Sequence, residues 1–180
     1  MKKTALLVCL FAGLISFGQD KYVTKTGQLA FEASVPSFEE VKASNNNVSA
    51  ILNTATGEFV SLALMQGFRF KVALMEEHFN ENYIESSKYP KATFKGKIEN
   101  FSLEGISAKP KEHRISGTLK IHGETKKIEA PVMLSFEKGT LKLQTGFSTK
   151  PEDFNIEIPK VVSSKIAETI NVKGVFYLSN

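Results

Sequence analysis

Two stretches decide how this chain is read: Met75–Gly96, MEEHFNENYIESSKYPKATFKG, and Gly117–Lys127, GTLKIHGETKK. The first opens with helical spacing. Leu74, Met75, Phe79 and Tyr83 recur at that period, and Glu76 and Glu77 fall in the first turn, where acids suit the helix dipole. This predicts one short helix or pair of turns over Leu74–Asn82, capping the end of something larger. After Tyr89-Pro90 the period becomes two, with Ala92, Phe94, Gly96 and Ile98 on one side. The second stretch alternates in the same way through Gly117, Leu119 and Ile121. His122-Gly123-Glu124 then predicts a tight hairpin into a strand over Ile128–Leu134.

Working outward, period two dominates from Gln28 onward. Leu29, Phe31, Ala33 and Val35 alternate with polar or small neighbours, as do Val48, Ala50 and Leu52. Phe68, Phe70, Val72 and Leu74 follow the same rule, and so do Val132, Leu134 and Phe136. Leu141, Leu143, Thr145 and Phe147 continue it, and Ile170, Val172, Gly174, Phe176 and Leu178 close the chain. Strict alternation marks half-buried antiparallel strands, and many of them separated by turn signals mark a sandwich or a barrel. Thr56-Gly57 and Glu137-Lys138-Gly139 supply further turns, and Pro131 sits near a strand start, where a missing N–H is tolerated. Ser102–Arg114 and Lys150–Ser164 read as polar, Pro-containing loops.

The chain has 180 residues, 42% of them hydrophobic and 23% charged, which fits one globular domain with a real core. Its first residues do not belong to that domain. Lys2 and Lys3 precede an apolar run from Ala5 to Ile15, and Ser16 and Gly18 place small residues at −3 and −1 of a cut before Gln19. That is the pattern of a secretory signal peptide over residues 1–18, leaving 19–180 as the folded domain of a periplasmic or secreted protein. The only cysteine, Cys9, lies inside the apolar run, so the mature chain has no disulfide. Removing Lys2 and Lys3 leaves 21 basic residues against 19 acidic ones. No basic stripe interleaves with aromatics, and nucleic acid is not an expected partner.

Catalytic chemistry finds little to build on. Asp20 and Asp153 are the only aspartates, no Gly-x-Ser-x-Gly elbow is present, and the glutamates stand mostly beside lysines. No enzyme and no cofactor are expected. Of the three histidines, His78 with Glu77 or Glu81 is a candidate ligand pair, but no HExxH motif or mature cysteine completes a metal site. His122 reads as a hydrogen-bonding turn residue and His113 as a solvated loop residue. Lys120, Lys126 and Lys127 cluster at the His122 hairpin, suited either to an anionic head group or membrane surface, or to a solubilising strand edge.

Taken together, the motifs resemble the YceI-like family of secreted bacterial lipid-binding proteins. The residues that carry the resemblance are His78-Phe79, Tyr89-Pro90 and Thr93-Phe94-Lys95-Gly96. Gly117, Leu119, Ile121, Gly123, Thr125 and Lys126 follow, then Phe154 and the alternating Ile170–Leu178. The chain departs from the family near its N-terminus, where Leu29–Val35 holds no His and Ser44–Asn47 is looser than usual. The resemblance implies an all-β fold, an extended antiparallel lipocalin-like barrel of about eight strands with one or two short helices. It also implies an elongated apolar tunnel that holds a long amphiphile, a polyisoprenoid or fatty-acid derivative.

On that basis Phe70, Leu74, Phe79, Phe94, Leu119, Ile121, Leu134, Phe147 and Phe176 are expected to line the tunnel, with His78 and Tyr83 near its mouth. Inward Phe and Leu are equally what a filled core needs. The alternative is therefore a non-catalytic envelope stress or interaction protein with a filled barrel. A homodimer and transient contact with a membrane surface are the further partners considered. N-terminal sequencing of the exported protein is expected to begin at Gln19; retention of Met1 or Lys2 in the exported form would refute the processing site.

Overall fold

The structure is a computed structural model that describes residues 20–180; the expected signal peptide and Cys9 lie outside the described residues. The strands are β1 (Lys21–Ser34), β2 (Lys42–Asn53), β3 (Glu58–Leu64), β4 (Arg69–Phe70), β5 (Lys91–Ile98), β6 (Lys111–Ile121), β7 (Glu124–Glu137), β8 (Thr140–Thr149) and β9 (Ile166–Ser179). Two short helices join them, α1 (Ala73–His78) and α2 (Lys160–Ser163). Eight strands close a ring in the order β1-β9-β8-β7-β6-β5-β3-β2, with β2 pairing back onto β1. Every pairing is antiparallel, and β4 adds two residues beside Ala43 and Ser44 of β2. This is the closed barrel with short helices that the family resemblance implies, one of the two architectures the alternating pattern allows.

Closure needs strong bending, and the sequence provides it in identifiable places. The β1–β2 register shifts between Thr24 and Gly27 and again between Gly27 and Leu29, each shift adding local twist. Opposite, the second shift falls at Asn45-Asn46-Asn47. Asn45 is only 1% exposed, donates from Nδ2 to the Leu64 carbonyl at 3.0 Å, and accepts the Asn47 N–H at 2.9 Å. The loose asparagine run is thus a pinned bulge. The β6–β7 and β7–β8 hairpins turn through His122-Gly123 and Lys138-Gly139, all four at positive φ. That is the two-residue turn whose twist matches the strands.

The two ends of the barrel differ. One end is closed by Leu52, Ile98, Ile106, Leu134, Leu141 and Leu178, each at most 6% exposed. The loop after β5 folds back over this end, with the Phe136 N–H donating to the Ser107 carbonyl. The other end carries α1, α2 and the 35–41 turn. Between them lies an aromatic layer: Phe59 packs edge-on to Phe176 at 5.2 Å and tilted against Phe94 at 6.4 Å. Both outer rings rest on glycines. A Cβ on Gly27 would meet the Phe176 ring at 2.5 Å, and one on Gly96 would meet the Phe94 ring at 2.6 Å.

Several expectations fail in detail. Only Arg69–Phe70 of the expected Phe68–Leu74 strand is extended, preceded by a 3₁₀ turn at Met65–Gly67 and followed by α1. The reason is Glu76, whose carboxylate reaches back to Arg69 Nη1 at 2.8 Å and to the Phe70 N–H at 3.1 Å and folds the chain there. The ladder is completed by β3, whose Phe59, Ser61 and Ala63 alternate inward. The polar segment Ser102–Arg114 already contains the start of β6, so His113 is a strand residue with a buried Nε2 that has no hydrogen-bond partner. Lys150–Ser164 holds a 3₁₀ turn over Pro151–Phe154 as well as α2.

Gly96 and Gly117 pair directly across β5 and β6. A Cβ on Gly117 would lie 2.5 Å from Gly96 Cα and closer still to the Lys95 carbonyl oxygen. Gly117→Ala is therefore expected to cost about 2–3 kcal/mol by overpacking. Gly105→Ala, which meets nothing within 4 Å, should stay within about 0.5 kcal/mol. Urea unfolding of the two variants checks the difference.

Candidate ligand-binding cavity

Above the aromatic layer the barrel is hollow. The cavity is about 480 Å³, within the range of pockets that hold one small ligand. Its walls come from the inward faces of the strands: Leu29 and Phe31 on β1, Phe59 on β3, Phe94 on β5, Ile115 and Leu119 on β6, Ala130 on β7, Leu143 on β8 and Phe176 on β9. Its rim comes from three irregular segments. The 35–41 turn gives Phe38, Glu39 and Val41; α1 and the wide helical turn after it give Met75, His78 and Phe79; the 150–166 segment gives Lys150, Phe154, Val162 and Lys165. The deep wall is apolar apart from Ser61 and Thr145, whereas the rim carries Glu39, His78, Tyr83, Thr149, Lys150 and Lys165.

Nine of the eleven residues expected around a tunnel line this cavity: Phe70, His78, Phe79, Tyr83, Phe94, Leu119, Ile121, Phe147 and Phe176. Leu74 and Leu134 do not. Leu74 is 57% exposed, because once Ala73 starts a helix the inward face belongs to Met75, His78 and Phe79, at i, i+3 and i+4. Leu134 points inward but is fully buried at the closed end, below the cavity. Sequence reading passed over Phe31, Phe59, Leu143 and the whole rim contribution of Val162 and Lys165. The alternation of Phe59-Val60-Ser61-Leu62-Ala63 was legible, whereas the rim has no period to read.

Phe31 is the hub of the rim. Its ring lies 5.4 Å from Phe68, 5.7 Å from Phe70 and 5.4 Å from Phe79, so one β1 side chain holds the 3₁₀ turn, β4 and the α1 turn against the wall. The opposite side is held by His122. Its Nδ1 donates to the Phe154 carbonyl at 3.0 Å, its Nε2 meets Glu85 Oε2 at 2.9 Å, and its ring sits 4.4 Å from Tyr89. The same turn is tied by Asn155 Nδ2 donating to Glu124 Oε1 and by Lys126 bonding Asp153. Lys126 holds the Asp153 carboxyl below its ordinary range, with the Lys150 N–H adding to the effect. Of the three lysines at this hairpin, Lys126 is thus engaged within the chain.

Among the described residues no group of three or more His, Cys, Asp or Glu is placed to hold a metal ion, and no helix is long and apolar enough to cross a membrane. A family model, the YceI-like domain, matches residues 20–176. The chain belongs to the YceI-like family. Solved structures show the shared fold. A polyisoprenoid binding domain from Saccharophagus degradans superposes with a TM-score of 0.77 at 16% identity, covering 90% of this chain and 99% of that one. BcnA of Burkholderia cenocepacia gives 0.69 at 16% identity, covering 86% and 96%. The Campylobacter jejuni YCEI protein gives 0.60 at 17% identity, covering 79% and 88%. No curated protein sequence matches.

His122→Ala removes both bonds and leaves the Phe154 carbonyl without its donor, at an expected cost of about 2 kcal/mol. Because the Asp153 carboxyl is depressed in the folded state, its contribution is present above the ordinary aspartate range near 3.8 and is lost as pH falls through the lower folded value. Thermal melts of His122→Ala at pH 7, and of the parent between pH 7 and 3, check both expectations.

Proposed function

We propose that this YceI-like domain is an exported binder and carrier of a long-chain amphiphilic lipid, a polyisoprenoid or fatty-acid derivative, acting by binding rather than catalysis in the periplasm or outside the cell. The observation that carries this reading is the hollow, apolar upper half of a barrel whose lower half is packed solid. Burial of a hydrocarbon chain there is favourable by roughly 0.8 kcal/mol per methylene. Loss of the ligand's freedom takes back part of it. The polar rim leaves a head group in contact with water and side chains, as an amphiphile requires. The structural neighbour described as polyisoprenoid-binding supports the same class of ligand. The alternative interaction protein needs a filled barrel, and the cavity argues against it.

Loading from a membrane would involve transient contact of the rim with the lipid surface, and self-association into a homodimer is compatible with carriage.

Leu119 is 7% exposed on the cavity wall, opposite Phe94 in the β5–β6 ladder. Leu119→Trp is expected to fill the space and abolish lipid retention while the barrel still folds. Native mass spectrometry of detergent-free protein, with circular dichroism as the folding control, tests this. A folded Leu119→Trp protein that carries lipid as the parent does would refute the assignment.

A further inference from the structure

The cavity ends inside the barrel, and the level of its floor is fixed strand by strand. On β8, Leu143, Thr145, Phe147 and Thr149 line it, whereas Leu141, two residues further down the same face, is fully buried and does not. On β9, Phe176 lines it and Leu178 does not; on β7, Ile128 and Ala130 line it and Val132 and Leu134 do not. On β6 the lining runs from Ile115 to Ile121. The floor residues are neighbours across the ladder: Leu141 pairs with Leu178, Leu134 with Leu143, and Ile98 with Ile115. Their mutual packing at 0–3% exposure leaves no exit at that end.

The depth follows from strand geometry. Leu143 to Thr149 and Ile115 to Ile121 each span six residues, or about 20 Å along the strand at roughly 3.3 Å per residue. With a strand tilt of about 40° the axial depth is about 15 Å. A fully extended chain of tetrahedral atoms advances about 1.2 Å per bond, since three backbone bonds cover roughly 3.3–3.6 Å. One pass from rim to floor therefore takes about 12 main-chain carbons along the barrel axis and about 16 along the tilted strand direction.

We infer that the pocket is a blind ruler: it takes a single apolar tail, tail first, with about 12–16 main-chain carbons inside, and leaves the polar head at the Glu39, His78, Lys150 and Lys165 rim. This rests on the lipid-carrier reading and adds to it the ligand's orientation and length. A saturated acyl chain or a short isoprenoid of three or four units fits. The tail of a long polyisoprenoid is accommodated only in its last units, the remainder standing outside the mouth. Because the rim holds both signs of charge, length rather than head-group charge is the selected property.

The test is displacement of a fluorescent C16 fatty acid from the mature protein by saturated fatty acids of 8, 10, 12, 14, 16, 20 and 24 carbons. Affinity corrected for solubility is expected to rise about fourfold per added methylene, then to flatten between C14 and C16. Leu141→Ala, which lowers the floor by one level on β8, should move the plateau up by about two carbons. If that variant fails to fold, the parent series still decides. A continued rise to C24 would overturn the ruler and leave the carrier reading standing. Absence of competition at every length would overturn both.

Discussion

Everything in this molecule depends on the double pairing of β1. Its 14 residues hydrogen-bond to β2 on one edge and to β9 on the other, converting an open eight-stranded sheet into a ring. Closure removes the free edges and fixes the internal radius. From then on each inward position has a set volume to fill, and the side chains either fill it or leave it empty. At the closed end they fill it. Moving toward the helices along the same faces, Leu141 and Leu143 give way to Thr145, Leu134 and Val132 to Ala130, and Phe59 to Ser61 and Ala63. The cavity sits where this decline falls on several strands at once, below the larger Ile128 and Phe147 nearer the rim and above the floor leucines.

That decline explains what was legible in the sequence. Alternation reports which side of a strand a residue faces, and most of the expected lining residues do face the lumen. It does not report height along the barrel axis, because height depends on register with neighbouring strands. Leu134 and Leu119 look alike in sequence. Only the pairings Leu134 with Leu143 and Leu119 with Phe94 put one in the floor and the other in the wall. Leu74 failed for a different reason. It satisfied period two with Phe70 and Val72, but the chain had already switched to a helix under the pull of Glu76 on Arg69 and the Phe70 amide. His113 was read as a loop residue because the polar Lys111-Glu112 hides the start of a strand that exists only by pairing with β7.

The rim was the least legible part, and the physical cause is common to its three segments. The 35–41 turn, the α1 turn and the 150–166 segment carry no sustained period of two, and the last two are seated against the wall by distant partners as well as by their own turns. Phe31 gathers one side through three rings, and His122 gathers the other through a carbonyl 32 residues away and a carboxylate 37 residues away. Neither α1 nor α2 has a side-chain N-cap or a buried residue of its own. The two helices themselves bury little apolar surface, while Phe154 next to them, 1% exposed, anchors the 150–166 segment.

The two ends also differ as routes into the cavity. Passage through the closed end would have to separate fully buried leucines and their ladder partners. Passage through the rim displaces short turns. At α2 adjacent residues already face both ways: Val162 lines the cavity while Val161 is 82% exposed. An apolar tail approaching this lip would meet valine outside, valine inside, and then the phenyl-lined wall, with Lys150 and Lys165 of the same segment beside it. The end built from short turns is therefore also the end where apolar surface continues from outside to inside.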